Sequence, residues 1–310
     1  MKKHGLLILL VLALCALLIS PAFAQSADQD LIDYVKGAFD QFFTLDTYSS
    51  SGTQNIVQHI SVVTQGQTVV VDQTIDQDLD GQVANDAGKT SMAMQIDQNI
   101  AQVIGAQNQE IKQTLEIVLT DGGLFMRFSN VSPATMAAIF PKDWVNLVDD
   151  PNAFPGASAI NAEQYANVFS SQFKYPLTAE TVERIKELPG ETLDDGTETR
   201  VIKLVFNGPA LFASGEMDQY LSAFNTASMG VDMDQLREGM GKNAALELTL
   251  WIGTDDNMIY RQDVSMTLSG DMGAIVKGID SMSLEQQVTG SILFADFNEP
   301  VTIEAPKVKS

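Results

Sequence analysis

The apolar residues follow a helical period at first and an alternating one further along. Over residues 28–43 they recur every three or four positions, which predicts an amphipathic first helix with an aromatic stripe. Apolar and polar residues then alternate in a series of segments, a pattern typical of strands with one face in water. These segments are 69–79, 91–97, 114–120, 124–128, 201–206, 246–252, 258–268 and 288–294, with a last short edge strand predicted at 298–303.

Between about residues 130 and 195 the alternation is lost and prolines become frequent. This composition predicts a long insert made of short helical pieces. After it, Asn207, Gly208 and Pro209 predict the start of another helix, since proline suits a first helical turn. The predicted helices are 162–173, 178–188, 209–225 and 233–240, and a short extended stretch is predicted at 144–147.

About eight antiparallel strands with one polar face predict an α+β fold built on one curved sheet. We expect an open half-barrel wrapped around helices that cover its concave apolar face. The chain shows no low-complexity linker, so residues 25–310 are interpreted as one domain with a Pro-rich helical insert at about 130–195.

The inward positions of the predicted strands are rich in methionine, whose flexible side chain suits surfaces that accept varied apolar ligands. One interpretation is a ligand cavity between sheet and helices; the other is an ordinary core. The residues expected to line the cavity are Phe39, Phe43, Met92, Met94, Met126, Phe212, Met258 and Met266.

The first residues predict a signal peptide. Lys2 and Lys3 precede a run of Leu, Ile, Val and Ala over residues 6–19, and Ala22 and Ala24 supply the small residues before a cleavage site. We expect cleavage after Ala24. A retained membrane helix would need a longer apolar run, and lipidation at Cys15 would need a small residue before it. These observations predict an exported protein, periplasmic or extracellular and soluble after cleavage.

The overall charge and the scarcity of cysteine and histidine exclude several function classes. The formal net charge of −22 disfavours binding to nucleic acid and to anionic membrane surfaces. With Cys15 removed in the signal peptide, the remaining chain would hold no disulfide and no cysteine nucleophile. His59 would be the remaining imidazole, which argues against multi-histidine metal sites and catalytic triads.

Asp76, Asp78 and Asp80, followed by Gly81, match the opening half of a calcium loop. The closing glutamate is missing, because Ala87 stands in its place, so these three residues are a weak calcium candidate and no other metal site or cofactor is expected. An S-x-x-K spacing at residues 171–174 lacks its companion motifs. His59 is expected to be a surface imidazole within a strand of mixed pattern.

The order of these features resembles a known superfamily. The resemblance is carried by the first helix with residues 43–48, by the segment 251–261 around Asp255 and Asp256, and by the ending 297–303. The plan is similar to that of the outer-membrane lipoprotein carrier LolA and the mycobacterial LppX and LprG lipid-binding lipoproteins. This resemblance implies an unclosed barrel whose helices form a lid over a hydrophobic cavity that carries acyl chains.

Together, these patterns predict an exported binding protein that carries or senses a lipid or other hydrophobic ligand, and no enzyme. Its partner would be a hydrophobic small molecule or acyl chain, with an exported or membrane-anchored protein as a further candidate. The alternative is an envelope sensor or scaffold domain that binds another exported protein without transporting a ligand.

Overall fold

The computed structural model describes residues 28–86, 89–154, 157, 176–214, 243–271 and 279–308. In this part the strands form one eleven-stranded antiparallel sheet. The strands are β1 (Thr47–Thr64), β2 (Gln67–Asp86), β3 (Lys89–Ile104), β4 (Gln107–Thr120), β5 (Gly123–Ser132), β6 (Val145–Asn146), β7 (Val182–Thr192), β8 (Glu198–Phe206), β9 (Ala244–Gly253), β10 (Ile259–Asp271) and β11 (Ser281–Ala295). The helices are α1 (Gln29–Phe42), α2 (Ala134–Ala137) and α3 (Gly208–Phe212).

The strand order is β6-β5-β4-β3-β2-β1-β11-β10-β9-β8-β7. From β1 the chain steps outward to β6 at one edge, crosses to β7 at the other edge, and steps back to β11. The two halves of the sheet therefore join where the first strand pairs with the last, in a register that runs from Ser49 opposite Ala295 to Val63 opposite Ser281. We call this pairing of β1 with β11 the seam.

The described strands β6 and β7 lie at the two edges and do not pair with each other, so the sheet is open. An unclosed antiparallel sheet with few helices confirms the predicted fold class. Seven of the eight predicted strand segments lie within strands, and the eighth, 258–268, starts one residue before β10. The strand β2, of 20 residues, is far longer than the alternation indicated, and β1, of 18 residues, was predicted only as a strand of mixed pattern around His59.

The first helix confirms the sequence prediction to within one residue at each end. Asp28 caps its first turn and accepts hydrogen bonds from the backbone N–H groups of Asp30 and Leu31. Its apolar stripe is buried, as the helical period requires. The stripe consists of Ile32, Val35, Ala38, Phe39 and Phe42.

The helix predicted at residues 178–188 is wrong, because this segment begins strand β7, which pairs antiparallel with β8. The register shifts between Val182 and Arg184 and again between Leu188 and Glu191. Each shift is an irregularity of the β-bulge type, which interrupts period-two alternation. Val182, Ile185 and Leu188 consequently recur every third residue, a spacing that imitates a helix.

The predicted edge strand at 298–303 is also wrong, since residues 299–308 have no regular structure. Asp296 and Asn298 have positive φ values of 53° and 60°, which turn the chain away from the extended direction. The backbone N–H of Asn298 and the carbonyl of Glu299 instead hydrogen-bond to Thr47 at the start of β1.

Several other predictions lie wholly or partly outside the described residues. These are the signal peptide at 1–24, the helices at 162–173 and 233–240, and the end of the helix at 209–225, whose beginning is α3. The extended stretch at 144–147 contains the short strand β6, as predicted.

Candidate functional site

Alternate residues of each strand point to one face of the sheet, here called the inner face, on which α1 packs beside β7 and β10. Arg200 of β8 fixes the helix there. Its guanidinium lies 4.0 Å above the ring of Tyr34 and donates hydrogen bonds of 2.9 and 2.8 Å to the carboxylate of Glu187 on β7. These contacts raise the pKa of the guanidinium, mainly through the hydrogen bonds to Glu187.

The helix and the inner face bury a large group of apolar side chains, here called the main cluster. It extends from β4 across the seam to Val182 of the edge strand β7, because the inward residues of these strands are mostly Ile, Leu and Val. Its buried members include Ile32, Val35, Phe39, Phe42, Ile56, Ile60, Ile75, Ile100, Ile111, Phe206, Phe212, Leu246, Leu248, Met266, Leu284 and Val288.

Phe42, the last residue of α1, packs against aromatic rings from the start of β1 and the end of β11. Its ring centre lies 4.8 Å from that of Tyr48 and 4.9 Å from that of Phe294. Burial of the Tyr48 phenol raises its pKa to about 12. The helix is thereby held where β1 begins and β11 ends.

A second group, here called the distal cluster, lies at the β3–β6 end of the inner face. Phe128 is at its centre, with ring centres of Phe140 and Phe154 at 4.6 and 5.3 Å. Its buried members are Met92, Ile117, Leu119, Leu124, Met126, Phe128, Leu147, Phe154 and Ala157.

The residues predicted to line one cavity are divided between the two clusters. Phe39, Phe43, Phe212, Met258 and Met266 belong to or pack against the main cluster. Met92, Met94 and Met126 belong to or pack against the distal cluster. All eight are buried or half-buried on the apolar side of the protein, but the structure does not bring them into one group.

The inner face also carries glutamines that the sequence reasoning missed. The pattern Gln-x-Ile-x-Gln occurs at residues 54–58, 73–77, 98–102 and 109–113, once in each of β1 to β4. The register aligns the four copies side by side. The isoleucine row consists of Ile56, Ile75, Ile100 and Ile111. The first amide row consists of Gln58, Gln73, Gln102 and Gln109, and Gln286 continues it on β11. The second amide row consists of Gln54, Gln77, Gln98 and Gln113.

The second amide row lies along the border of the two clusters. On β3, Gln98 stands between Ile96, which packs against the distal cluster, and Ile100 of the main cluster. On β4, Gln113 stands between Leu115 and Ile111 in the same way. A polar row thus separates two apolar regions of one continuous sheet face.

The opposite, outer face of the sheet is polar and forms two grooves of about 640 and 590 Å³. Asp76 and Asp78, two of the weak calcium candidates, line the first groove together with Lys203, Glu247 and Asp263. With Asp80 they lie in the extended strand β2, where alternate side chains are about 7 Å apart. The described residues contain no group of three or more acidic, histidine or cysteine side chains that could hold a metal ion.

His59 lies on the outer face in β1, as expected for a surface imidazole. Its Nδ1 is 2.6 Å from a carboxylate oxygen of Asp72 on β2, and both side chains are about half exposed. The pair lines the second outer groove.

Tyr260 gives a pH-dependent prediction. Burial, and then the 2.6 Å hydrogen bond that its hydroxyl donates to Asp256, raise its pKa from 10 to about 12. Because the folded state holds this proton more tightly, the stabilisation is complete below pH 10 and is lost as the pH rises towards 12. Between these values the unfolding midpoint in urea should fall more steeply for the wild type than for Tyr260→Phe; equal slopes would contradict the prediction.

No family model matches the chain, and no curated protein matches it. Among solved structures, LprF from Mycobacterium bovis is 12% identical with a TM-score of 0.42, and the match covers 91% of this chain and 99% of that chain. A DUF1329 family protein from Desulfovibrio piger is 9% identical with a TM-score of 0.23, covering 90% and 96%. A putative outer membrane lipoprotein-sorting protein domain from Vibrio parahaemolyticus is 8% identical with a TM-score of 0.19, covering 87% and 93%.

Every quoted TM-score lies below 0.5, and every quoted identity is 12% or less. Within the described residues, no helix combines the length and apolar composition needed to cross a membrane.

Proposed function

We propose that the chain is an exported binding protein that holds a lipid or other hydrophobic ligand between the inner face of its sheet and its helices. The observation that carries the proposal is that the inner face bears two apolar clusters separated by the second amide row. An ordinary domain usually has one contiguous core with smaller satellite clusters under long loops. Here the buried residues of both clusters lie on the same strands, β3 and β4, on either side of a polar row. Two apolar regions with a polar border suit a ligand that spans them.

Binding of this kind needs no catalytic residue. An acyl chain on the inner face would gain about 0.8 kcal/mol for each methylene removed from water. Met94 and Met258 lie at the margins of the distal and main clusters and are half-buried. Their flexible side chains can repack around a ligand more easily than branched ones.

Export is part of the proposal. The basic start, the apolar run and Ala22 and Ala24 support removal of residues 1–24 during transport across a membrane. The net charge of −22 supports a solvated carrier rather than a protein held on an anionic surface.

Met94 gives the sharpest test, because it lies opposite Gly81 on β2 and Ile117 on β4, at the edge of the distal cluster. In Met94→Trp the larger indole would cover part of the inner face at this margin, where the proposed ligand would lie. Delipidated protein should bind the uncharged fluorophore N-phenyl-1-naphthylamine, and Met94→Trp should weaken this binding about tenfold, equivalent to about 1.4 kcal/mol.

Gln95→Trp is the matched control, because Gln95 is exposed on the outer face of the same strand. It should bind the fluorophore as the wild type does, and circular dichroism should verify the fold of both variants. Mass spectrometry of the natively purified protein should also find a copurified lipid. No fluorophore binding and no copurified lipid would overturn the proposal, and a stoichiometric protein partner from the envelope fraction would then favour a scaffold.

A further inference from the structure

The first amide row carries hydrogen-bonding groups that the protein buries without pairing them. Gln73, Gln102 and Gln286 are 3%, 6% and 4% exposed. The Oε1 of Gln73, the Nε2 of Gln102 and both amide atoms of Gln286 find no hydrogen-bond partner among the described residues. The row therefore presents unused acceptors and donors from three strands to the interior.

The second amide row is partly paired. The Nε2 of Gln113 donates a 2.7 Å hydrogen bond to the Oε1 of Gln98, and the buried Oε1 of Gln113 has no partner in the described part of the chain. Side chains in register on neighbouring strands can form such bonds along the whole row. Because the hydrogen bonds do not continue along the whole row, the unpaired amide atom of Gln113 can accept a hydrogen bond from another molecule.

Burying an unpaired amide destabilises a fold, so these glutamines need a reason beyond packing. Isoleucine occupies the positions between them on all four strands and shows that the same surface accepts apolar side chains. A ligand that supplies the missing partners would recover the cost on binding. This identifies the amide rows as candidate ligand contacts.

The chemistry of the rows defines the polar part of that ligand. A glutamine amide is uncharged and both donates and accepts hydrogen bonds. Neither row contains a lysine or arginine, which would be expected opposite a phosphate or carboxylate. The apolar isoleucine row runs between the two amide rows, so hydrocarbon and polar groups would lie side by side.

We propose that the two amide rows bind the ester carbonyls and hydroxyls of an uncharged acyl amphiphile, whose hydrocarbon lies on the isoleucine row and the adjoining clusters. The inference rests on the proposed function and adds the chemical class of its ligand. Gln73 and Gln102 are the central contacts, since they face each other on β2 and β3.

The test compares two ligands in displacement of N-phenyl-1-naphthylamine from delipidated protein: 1-monooleoylglycerol, which carries an ester and two hydroxyls, and oleate, which carries a charge. The wild type should bind the glyceride more tightly. The double variant Gln73→Leu/Gln102→Leu should lose about tenfold in affinity for the glyceride relative to its affinity for the fluorophore, as expected for the loss of one or two hydrogen bonds.

The control is Thr74→Leu/Ala101→Leu, which makes a similar change on the outer face of the same two strands. It should leave both affinities unchanged. If the double variant fails to fold, Gln102→Leu alone provides the same comparison. Fluorophore binding with equal glyceride affinity in wild type and variant would overturn this inference and leave the proposed function standing, whereas no fluorophore binding by the wild type would overturn both.

Discussion

Replacing Gly52 by alanine is expected to lower the free energy of unfolding by about 3 kcal/mol. Gly52 lies in β1 opposite Ile292 of β11, within the seam. A β-carbon at this position would overlap the carbonyl oxygen of Ser291 and lie 2.9 Å from the α-carbon of Ile292. Backbone atoms cannot rotate aside, so the two strands would have to move apart where the halves of the sheet join.

Ser51→Ala provides the control, because Ser51 is the exposed neighbour of Gly52 in the same strand. It should change the free energy of unfolding by no more than about 0.5 kcal/mol. Urea denaturation followed by tryptophan fluorescence and by circular dichroism measures both variants. A Gly52→Ala protein as stable as Ser51→Ala would show that the seam accommodates the extra carbon.

The seam illustrates which part of the fold the sequence could not reveal. Alternation predicted most of the strands, since each strand has one apolar and one polar face over most of its length. Pairing of β1 with β11 joins residues more than 200 positions apart. No local pattern reports such a contact, whereas the glycine at position 52 becomes informative once Ile292 is known to lie beside it.

Local irregularity explains the clearest error. In β7 the two register shifts change which residues face inward, so an eleven-residue strand displays apolar residues at helical spacing. The signal for an edge strand was present in Pro189, which is compatible with an edge and unfavourable inside a helix. The predicted helix instead ended at residue 188, directly before this proline.

The sequence predicted which residue types face the apolar side of the sheet, but not how they are grouped there. The sequence placed methionines and phenylalanines on the apolar side, where they are found, but it did not separate the main from the distal cluster. Inward glutamines also weakened the alternation in β1, because Gln54 and Gln58 flank Ile56, so the sequence predicted only a strand of mixed pattern around His59. The repeated Gln-x-Ile-x-Gln pattern was the available signal, since an exact spacing in four strands predicts matching rows once they pair in register.

Replacing Gln286 by methionine is expected to raise the free energy of unfolding of the ligand-free protein by about 1–3 kcal/mol. Gln286 is 4% exposed, and neither of its amide atoms has a hydrogen-bond partner among the described residues. Folding therefore removes this amide from water without compensation, whereas methionine has a similar length and loses little on burial. Urea denaturation of delipidated protein measures the gain.

Gln287→Met is the matched control, because Gln287 is the next residue of β11 and is exposed on the outer face. Its effect should stay within about 0.5 kcal/mol. Adding 1-monooleoylglycerol should reduce the difference in free energy of unfolding between Gln286→Met and the wild type. The wild-type amide can then form hydrogen bonds with the ligand that a methionine side chain cannot form. A loss of stability in ligand-free Gln286→Met would show that the folded protein already satisfies this amide, and that the first amide row contributes to folding rather than to binding.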